Sequence, residues 1–344
     1  MIYQSILEKT ICTPTENMSN EEWLETRRAF IGGSDAGAVM GLSHYGSPLT
    51  VYMEKKGMYQ VEENEAMLRG SIMEPYIRDL TKKEYPNMEI ETAPFIFQNK
   101  ERPFMGANVD GFIYIDPEQQ KEMPFSPDHF TNKCLGLGIH EIKTSQDGYG
   151  FTGNEIPDAY YAQVQHYMSV LDLPWAILTV YIISKNQIRH YPIMRNDAFV
   201  ETLIRAEEDF YDNYLLADNM PAAMGLDSEE DMITSMFQGG QSTIVLDEAD
   251  KKRCSDYVEI NASIKEFEER KKAIANDLKA SLIKKAQPGQ EMKISAIAGP
   301  FNISWSRYET TRIDTEALKK AGLYEQYSKK SETGMFRVTE KKAS

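Results

Sequence analysis

The chain has 344 residues, 41% of them apolar, and a formal net charge of −15. That length suits one large domain with an appendage, or two domains. The apolar fraction excludes wholesale disorder, and no apolar run approaches the roughly 18 residues a membrane span needs.

The first twenty residues lack a basic patch followed by a long apolar stretch, so no signal peptide is expected. Cys12, Cys134 and Cys254 are far apart and form no CxxC pair. They read as buried or free thiols in a reducing cytoplasm, not as ligands of zinc or an iron–sulfur cluster. Net acidity speaks against nucleic acid as a partner, but its distribution is uneven. From Thr243 onward 15 Lys and 5 Arg face 16 acidic residues, a net of +4; the rest holds 18 basic and 37 acidic residues. An acidic body thus carries a mildly basic tail, and local cations can still engage phosphates.

In chain order, "NEEWLETRRAFIGGSDAGAVMGLS" predicts helix, glycine turn, helix. Asn20 can cap the first helix, with Trp23, Leu24 and Phe30 on its buried side, and Ser34 or Asp35 the second. "SPLTVYMEKKG" predicts a short helix ended by Gly57, and "NEAMLRGSIMEPYIRDLTKKEY" a longer one with Met67, Ile72, Tyr76 and Leu80 as its stripe. Three strand-like runs follow: "APFIFQ", "FMGANVDGFIYID" and "LGIHEIKTS". The insert "DPEQQKEMPFSPDHFTNKCLG" between the last two is expected as a loop. "IPDAYYAQVQHYMSVLDL" returns to a helix, "WAILTVYIIS" and "QIRHYPIM" predict a hairpin, and "DAFVETLIRAEEDFYDNYLLA" an amphipathic helix. This order predicts an α/β sheet with helices on its faces. Residues 218–242 read as a linker. A long helix over about 247–286 follows, with Tyr257, Ile260, Ile264, Phe267, Ile274 and Leu278 at spacings of three and four, interrupted at Lys271. That stripe reads first as packing within its own domain. A hairpin, a short helix and a last strand, "GMFRVTE", complete the tail.

The chemistry concentrates in "GIHEIKTSQ". In a strand, residues two apart face the same way, so Glu141 and Lys143 share a face and Ile142 takes the other. Asp110 ends "GANVD" in the preceding strand-like run. If the two strands are neighbours, Asp110 and Glu141 converge beside Lys143. Two close carboxylates repel unless a cation separates them, and Mg²⁺, hard and oxygen-loving, suits such a pair. Lys143 would then orient the attacking water, lower its pKa or offset charge on a phosphodiester. Taken alone, D…ExK more often marks an ordinary exposed strand.

Four further elements accompany it in order: "W…RRAFIGGSD" (Trp23 to Asp35), "RGSIMEPYIRD" (Arg69 to Asp79), "GANVDG" (Gly106 to Gly111) and "YYAQVQHYM" (Tyr160 to Met168). With them, residues ~20–215 resemble the phage lambda exonuclease and YqaJ-type viral recombinase family of PD-(D/E)xK nucleases. The resemblance implies a restriction-endonuclease-like core with a central mixed sheet. It implies Asp110, Glu141 and the Ile142 carbonyl as metal ligands, Lys143 as the catalytic lysine and Glu74 as a helical glutamate supporting the metal's waters. Arg27 or Arg28, with Ser34, would contact the 5′-phosphate. Gln163 would lie at the phosphate end of the active site, and Tyr160 is similar to an aromatic position on that helix. Asn108 stands where lambda-type enzymes carry serine and would donate to phosphate. Without the resemblance, Glu74 reads as a solvated helix residue, Arg27 and Arg28 as surface cations, Ser34 as a helix cap and Gln163 as a flank of the apolar stripe. The five histidines read as structural.

The resemblance further implies a Mg²⁺-dependent 5′-to-3′ exonuclease on double-stranded DNA ends, with Mn²⁺ able to substitute. Its 3′ tails would serve a single-strand annealing protein, the chain would form a ring-shaped homotrimer, and it would work in a bacterial host cytoplasm. An endonuclease, a short-range trimming nuclease and a non-catalytic DNA-end binder are the alternatives. The expected organisation is a nuclease domain over 1–217, a linker over 218–242 and an α+β extension over 243–344.

Overall fold

In the computed structural model, residues 1–116, 136–237, 239, 243–286, 293–329 and 335–339 are described. The chain divides into two compact units, Met1–Gln238 and Gly239–Ser344.

The first unit opens with α1 (Gln4–Lys9) and β1 (Thr10–Pro14), neither of which the sequence pattern predicted. In α2 (Asn20–Arg28) the cap is Ser19, one residue before the expected Asn20; its hydroxyl accepts from Glu22 N–H and Glu22 reaches back to Ser19. Phe30 is buried, whereas Trp23 and Leu24 are half-buried. After β2 (Ile31–Gly32), α3 (Gly33–Val39) is capped by neither Ser34 nor Asp35 in the usual sense. Gly32 holds the cap position, and Asp35, at the third helical residue, accepts the Gly32 N–H. Ser47 caps α4 (Pro48–Lys55), and α5 spans Glu65–Glu84. The expected stripe of α5 is not its buried face. Met67, Ile72 and Tyr76 are exposed, and Ile77, Arg78 and Thr81 are buried instead.

An unexpected strand, β3 (Met88–Glu91), comes first, and the three expected runs hold four strands: β4 (Phe95–Asn99), β5 (Met105–Ala107), β6 (Gly111–Ile115) and β7 (Gly136–Ser145). The run "FMGANVDGFIYID" is two strands because the chain passes from one sheet to the other at 108–110. The insert between β6 and β7 falls almost wholly on 117–135, outside the described residues, as do Cys134 and His129. Then follow α6 (Asp158–Leu171), β8 (Trp175–Ile182), β9 (Gln187–Met194) and α7 (Asp197–Phe210), which runs into a π-helical turn at Tyr211–Leu216.

One sheet has the order β1-β4-β5-β2 and the other β3-β6-β7-β8-β9, with β7 and β8 parallel and its other pairs antiparallel. This is the α/β fold with mixed sheets and flanking helices that the sequence predicted. Central β8 is apolar and buried along nearly its whole length, as expected of a strand covered on both faces. The main core lies where Val164, Met168 and Leu171 of α6 meet Ile139, Leu178 and Val180 of the sheet. A second core, on Tyr85, Met88, Ile113 and Trp175, fills the opposite side.

Residues 218–242 are not simply a linker. Within them α8 (Asp227–Met236) forms, and Met232 is buried. Its Glu229 accepts a 2.5 Å bond from the Ser47 hydroxyl and bonds from Met224, Gly225 and Leu226 N–H, which ties the segment to α4. Such a pairing joins residues 182 positions apart, which no local pattern reveals.

The second unit holds α9 (Glu248–Lys285), the hairpin of β10 (Lys293–Ala298) and β11 (Phe301–Ser306), α10 (Thr315–Lys320) and α11 (Tyr324–Tyr327). The α9 stripe expected to pack in its own domain is exposed from Ile260 to Leu278. Only Leu282 of this helix is buried, while Tyr257 meets Phe336 edge-on. The expected last strand does not form: Met335–Thr339 has no strand partner among the described residues. No helix among the described residues is long and apolar enough to cross a membrane.

Candidate active site

β6 and β7 run antiparallel with Gly111 opposite His140, so Asp110, the next residue along, comes beside Glu141. Asp110 Oδ2 accepts a 2.7 Å bond from the Ile142 N–H. Glu141 is buried, and its Oε1 accepts from Lys143 Nζ at 2.7 Å and from Gln163 Nε2 at 2.8 Å. Its other oxygen, Oε2, is buried with no hydrogen-bond partner among the described residues. The strand therefore does what its period of two requires: both charges stand on one face. Lys143 Nζ also lies 5.4 Å from the centroid of the Tyr160 ring, which stacks on Phe151.

Glu74 joins the group through an unpredicted residue. Arg78, one helical turn along α5, pairs with the Glu74 carboxylate and donates to the Asp110 carbonyl at 3.2 Å. The i, i+4 spacing of Glu74 and Arg78 was the available signal. Tyr167 was missed in the same way: four residues after Gln163, its hydroxyl accepts a 3.0 Å bond from Gln163 Nε2.

Burial and then the charge of Asp110 push the Glu141 carboxyl up to about 8, against the pull of Lys143. Burial raises Asp110 too, outweighing Lys143, and raises Glu74, with Asp110 adding to it. Burial opposes charge on Lys143, but Glu141 and Asp110 outweigh it and hold its proton more firmly. Lys143 is therefore the fixed cation, and the carboxylates carry the electrostatic strain. Three acids share one lysine and one arginine, and one buried carboxylate oxygen lacks a donor. A hard divalent cation would relieve both conditions, so the donor set fits such an ion. Among the described residues no three His, Cys, Asp or Glu side chains group closely enough to form a metal cage. Asp110 and Glu141 are the carboxylates this site offers such an ion.

A second group lies on α2, α3 and α4. Arg27 Nη2 donates to Ser34 Oγ at 2.7 Å, and the guanidinium stacks 4.5 Å from the Trp23 ring centroid. Arg28 instead pairs with Glu25 on its own helix. Trp23, Arg27, Ser34, Glu54 and Tyr59 line a cavity of about 320 Å³, to which Asp35 and Lys55 also contribute. Burial and the neighbouring Asp35 push Glu54 up to about 7. Gly33 connects the two groups. A Cβ there would fall 2.3 Å from the Tyr167 ring, so only glycine lets α3 lie flat on the tyrosine that Gln163 holds.

Asn108 lies two residues before Asp110, where the chain passes between the sheets. One of its amide hydrogens goes to the Phe95 carbonyl at 3.2 Å. The described histidines other than His44 are engaged inside the fold. His140 bonds Thr179, and burial, with help from His190, pushes it down to about 3. His166 bonds Glu207 and the Gly106 carbonyl. His190 bonds Thr179 and Glu84.

Comparison with known proteins bears on the same segment. Residues 22–174 match the YqaJ-like viral recombinase domain. The chain is 27% identical over 341 residues to "Uncharacterized protein YqaJ" of Bacillus subtilis (strain 168), covering 96% of this chain and 97% of that one. Among solved structures it is similar to an alkaline exonuclease (LHK-Exo) from Laribacter hongkongensis, at 17% identity and a TM-score of 0.44, covering 63% of this chain and 100% of that one. It is also similar to a phage-related exonuclease from Haemophilus somnus 129PT, at 14% identity and a TM-score of 0.40, covering 57% and 99%. The paired strands β6 and β7 fall inside the matched residues.

Proposed function

We propose that the chain is a metal-dependent nuclease that hydrolyses phosphodiesters from the 5′ ends of double-stranded DNA, leaving 3′ single-stranded tails. The observation that carries this reading is the Glu141–Lys143 pair on one face of β7 beside Asp110, with one Glu141 oxygen left without a donor. Asp110, Glu141 and the Ile142 carbonyl would hold the ion. Mg²⁺ when bound supplies Lewis-acid polarisation of a phosphoryl oxygen, and Mn²⁺ can replace it.

The protein's own groups do the rest. Lys143 stays protonated, and its ammonium offsets the charge that grows on the phosphate or orients the attacking water. Gln163 donates to the same Glu141 oxygen as Lys143 and helps fix the carboxylate, and Tyr167 in turn accepts from Gln163. Arg78 holds Glu74 near the Asp110 backbone. Water adds to phosphorus, the bond to the leaving sugar oxygen breaks, and a proton passes to that oxygen. Arg27 and Ser34 receive the terminal 5′-phosphate, which sets the direction of digestion. A homotrimer enclosing the duplex would let so acidic a chain stay on DNA, and a single-strand annealing protein would take up the 3′ tail.

The test uses linear duplexes with a 5′-phosphate or a 5′-hydroxyl, in Mg²⁺, Ca²⁺ or chelator, with Lys143→Ala alongside. Release of mononucleotides from 5′-phosphorylated ends, requiring Mg²⁺ and Lys143, is expected. Cutting of closed circles would point to an endonuclease, and end binding without turnover to a non-catalytic protein.

A further inference from the structure

Lys55 closes α4 and turns inward, its side chain 7% exposed. Nζ lies 2.6 Å from Asp35 Oδ2 and donates to the Arg27 carbonyl at 2.9 Å. The same Asp35 oxygen accepts the Gly32 N–H at 2.8 Å. Arg27 is in the last turn of α2, where carbonyls have no partner along the helix. One ammonium thus ties the end of α2 to the first turn of α3.

What it ties is specific. Arg27 is held by its own carbonyl, and Ser34 through the residue next to it. The distance this sets is the one across which Arg27 Nη2 meets Ser34 Oγ at 2.7 Å. Ser34 Oγ accepts that bond, so its hydroxyl hydrogen remains available to an incoming acceptor. Trp23 supports the guanidinium from the other side. Lys55 is too enclosed, and too committed to these two partners, to serve as a surface contact.

We infer that Lys55 is a positioning residue: it sets the spacing of Arg27 and Ser34 so that both address one terminal phosphate of DNA. This rests on the reading of Arg27 and Ser34 as the phosphate site. Asp35 is the counter-charge that lets a lysine sit there. Without Lys55 this buried carboxylate would lose its ion-pair partner and keep only the charge of Arg27, so the single variant is expected to fold poorly.

The experiment therefore uses the full chain with Lys55→Met and Asp35→Asn together, which removes both buried charges, with circular dichroism and melting to verify the fold. KM and kcat are measured on linear duplexes ending in 5′-phosphate or 5′-hydroxyl. The expected result is a tenfold or greater loss of the KM preference for 5′-phosphate, with kcat at saturating DNA moving less than threefold. The same pair is then placed in a chain carrying Arg27→Ala and Ser34→Ala, where less than twofold further change is expected. A folded double variant that keeps the wild-type preference overturns the inference. So does an equal loss on both kinds of end, which marks a general structural role. A further large loss in the Arg27→Ala, Ser34→Ala background would make Lys55 a phosphate contact itself. If the wild type shows no preference for 5′-phosphate, the phosphate-site reading falls first and takes this inference with it.

Discussion

Lys143 Nζ and Glu141 Oε1 lie 2.7 Å apart, two residues along one strand, with Asp110 brought alongside by the neighbouring strand. A lysine so close to a buried carboxylate pair can be a structural counter-charge or a reacting group. The two roles predict different losses. Lys143→Ala and Glu141→Gln are expected to cut kcat on 5′-phosphorylated duplex by about 10²–10⁴ while binding of DNA ends changes only a few-fold. Quench-flow for turnover and fluorescence anisotropy for binding separate the two. Near-normal turnover in Lys143→Ala would assign the lysine to structure.

Glu54 is expected to make the phosphate preference pH-dependent. Burial and Asp35 place its ionisation at about 7, and it lines the cavity of Arg27 and Ser34. Below that pH it is neutral, and Arg27 and Lys55 face Asp35 alone. Above it a second negative charge weakens the hold on an anion. KM for 5′-phosphorylated ends should rise from pH 6 to pH 8, by up to about tenfold for one charge at this range. Glu54→Gln should flatten the rise, and an unchanged profile in that variant would count against the assignment.

The buried His166–Glu207 pair gives a stability prediction. Nδ1 of His166 meets Glu207 at 2.7 Å, and its Nε2 meets the Gly106 carbonyl at 2.8 Å. Burial works against the imidazolium, but Glu207 outweighs it and raises His166; burial raises Glu207 as well. The folded pair therefore keeps a proton that the unfolded chain releases above about pH 6.5. Its contribution is present below that pH and is lost as pH rises toward the folded value, at a slope of up to about 1.4 kcal/mol per pH unit. Urea midpoints at pH 6, 7, 8 and 9 should fall more steeply for the wild type than for Glu207→Gln. Parallel curves would mean the pair holds no extra proton.

Gly33→Ala tests the link between the two groups of residues. The new methyl would meet the Tyr167 ring at 2.3 Å, and the ring is fixed by Gln163. Overpacking of this kind costs about 1–3 kcal/mol. The melting temperature should drop by several degrees, and turnover should fall as the shift passes through Tyr167 to Gln163 and Glu141. A variant with lowered melting temperature and intact kcat would show that the ring yields without disturbing the carboxylate.

The sequence by itself determined the placement of Glu141 and Lys143 on one face, because the strand repeat of two is a local property of the backbone. It also determined most helices, since apolar spacing and capping are local too. It did not determine that 108–110 passes between two sheets, that α5 buries Arg78 and leaves Tyr76 exposed, or that Lys55 reaches the Arg27 carbonyl. The Ser47–Glu229 bond and the exposed stripe of α9 were equally out of reach. Each depends on which distant segment lies opposite, and that is set by the packing of whole elements. Side-chain period reports which way a residue faces, and only the tertiary structure supplies what it faces.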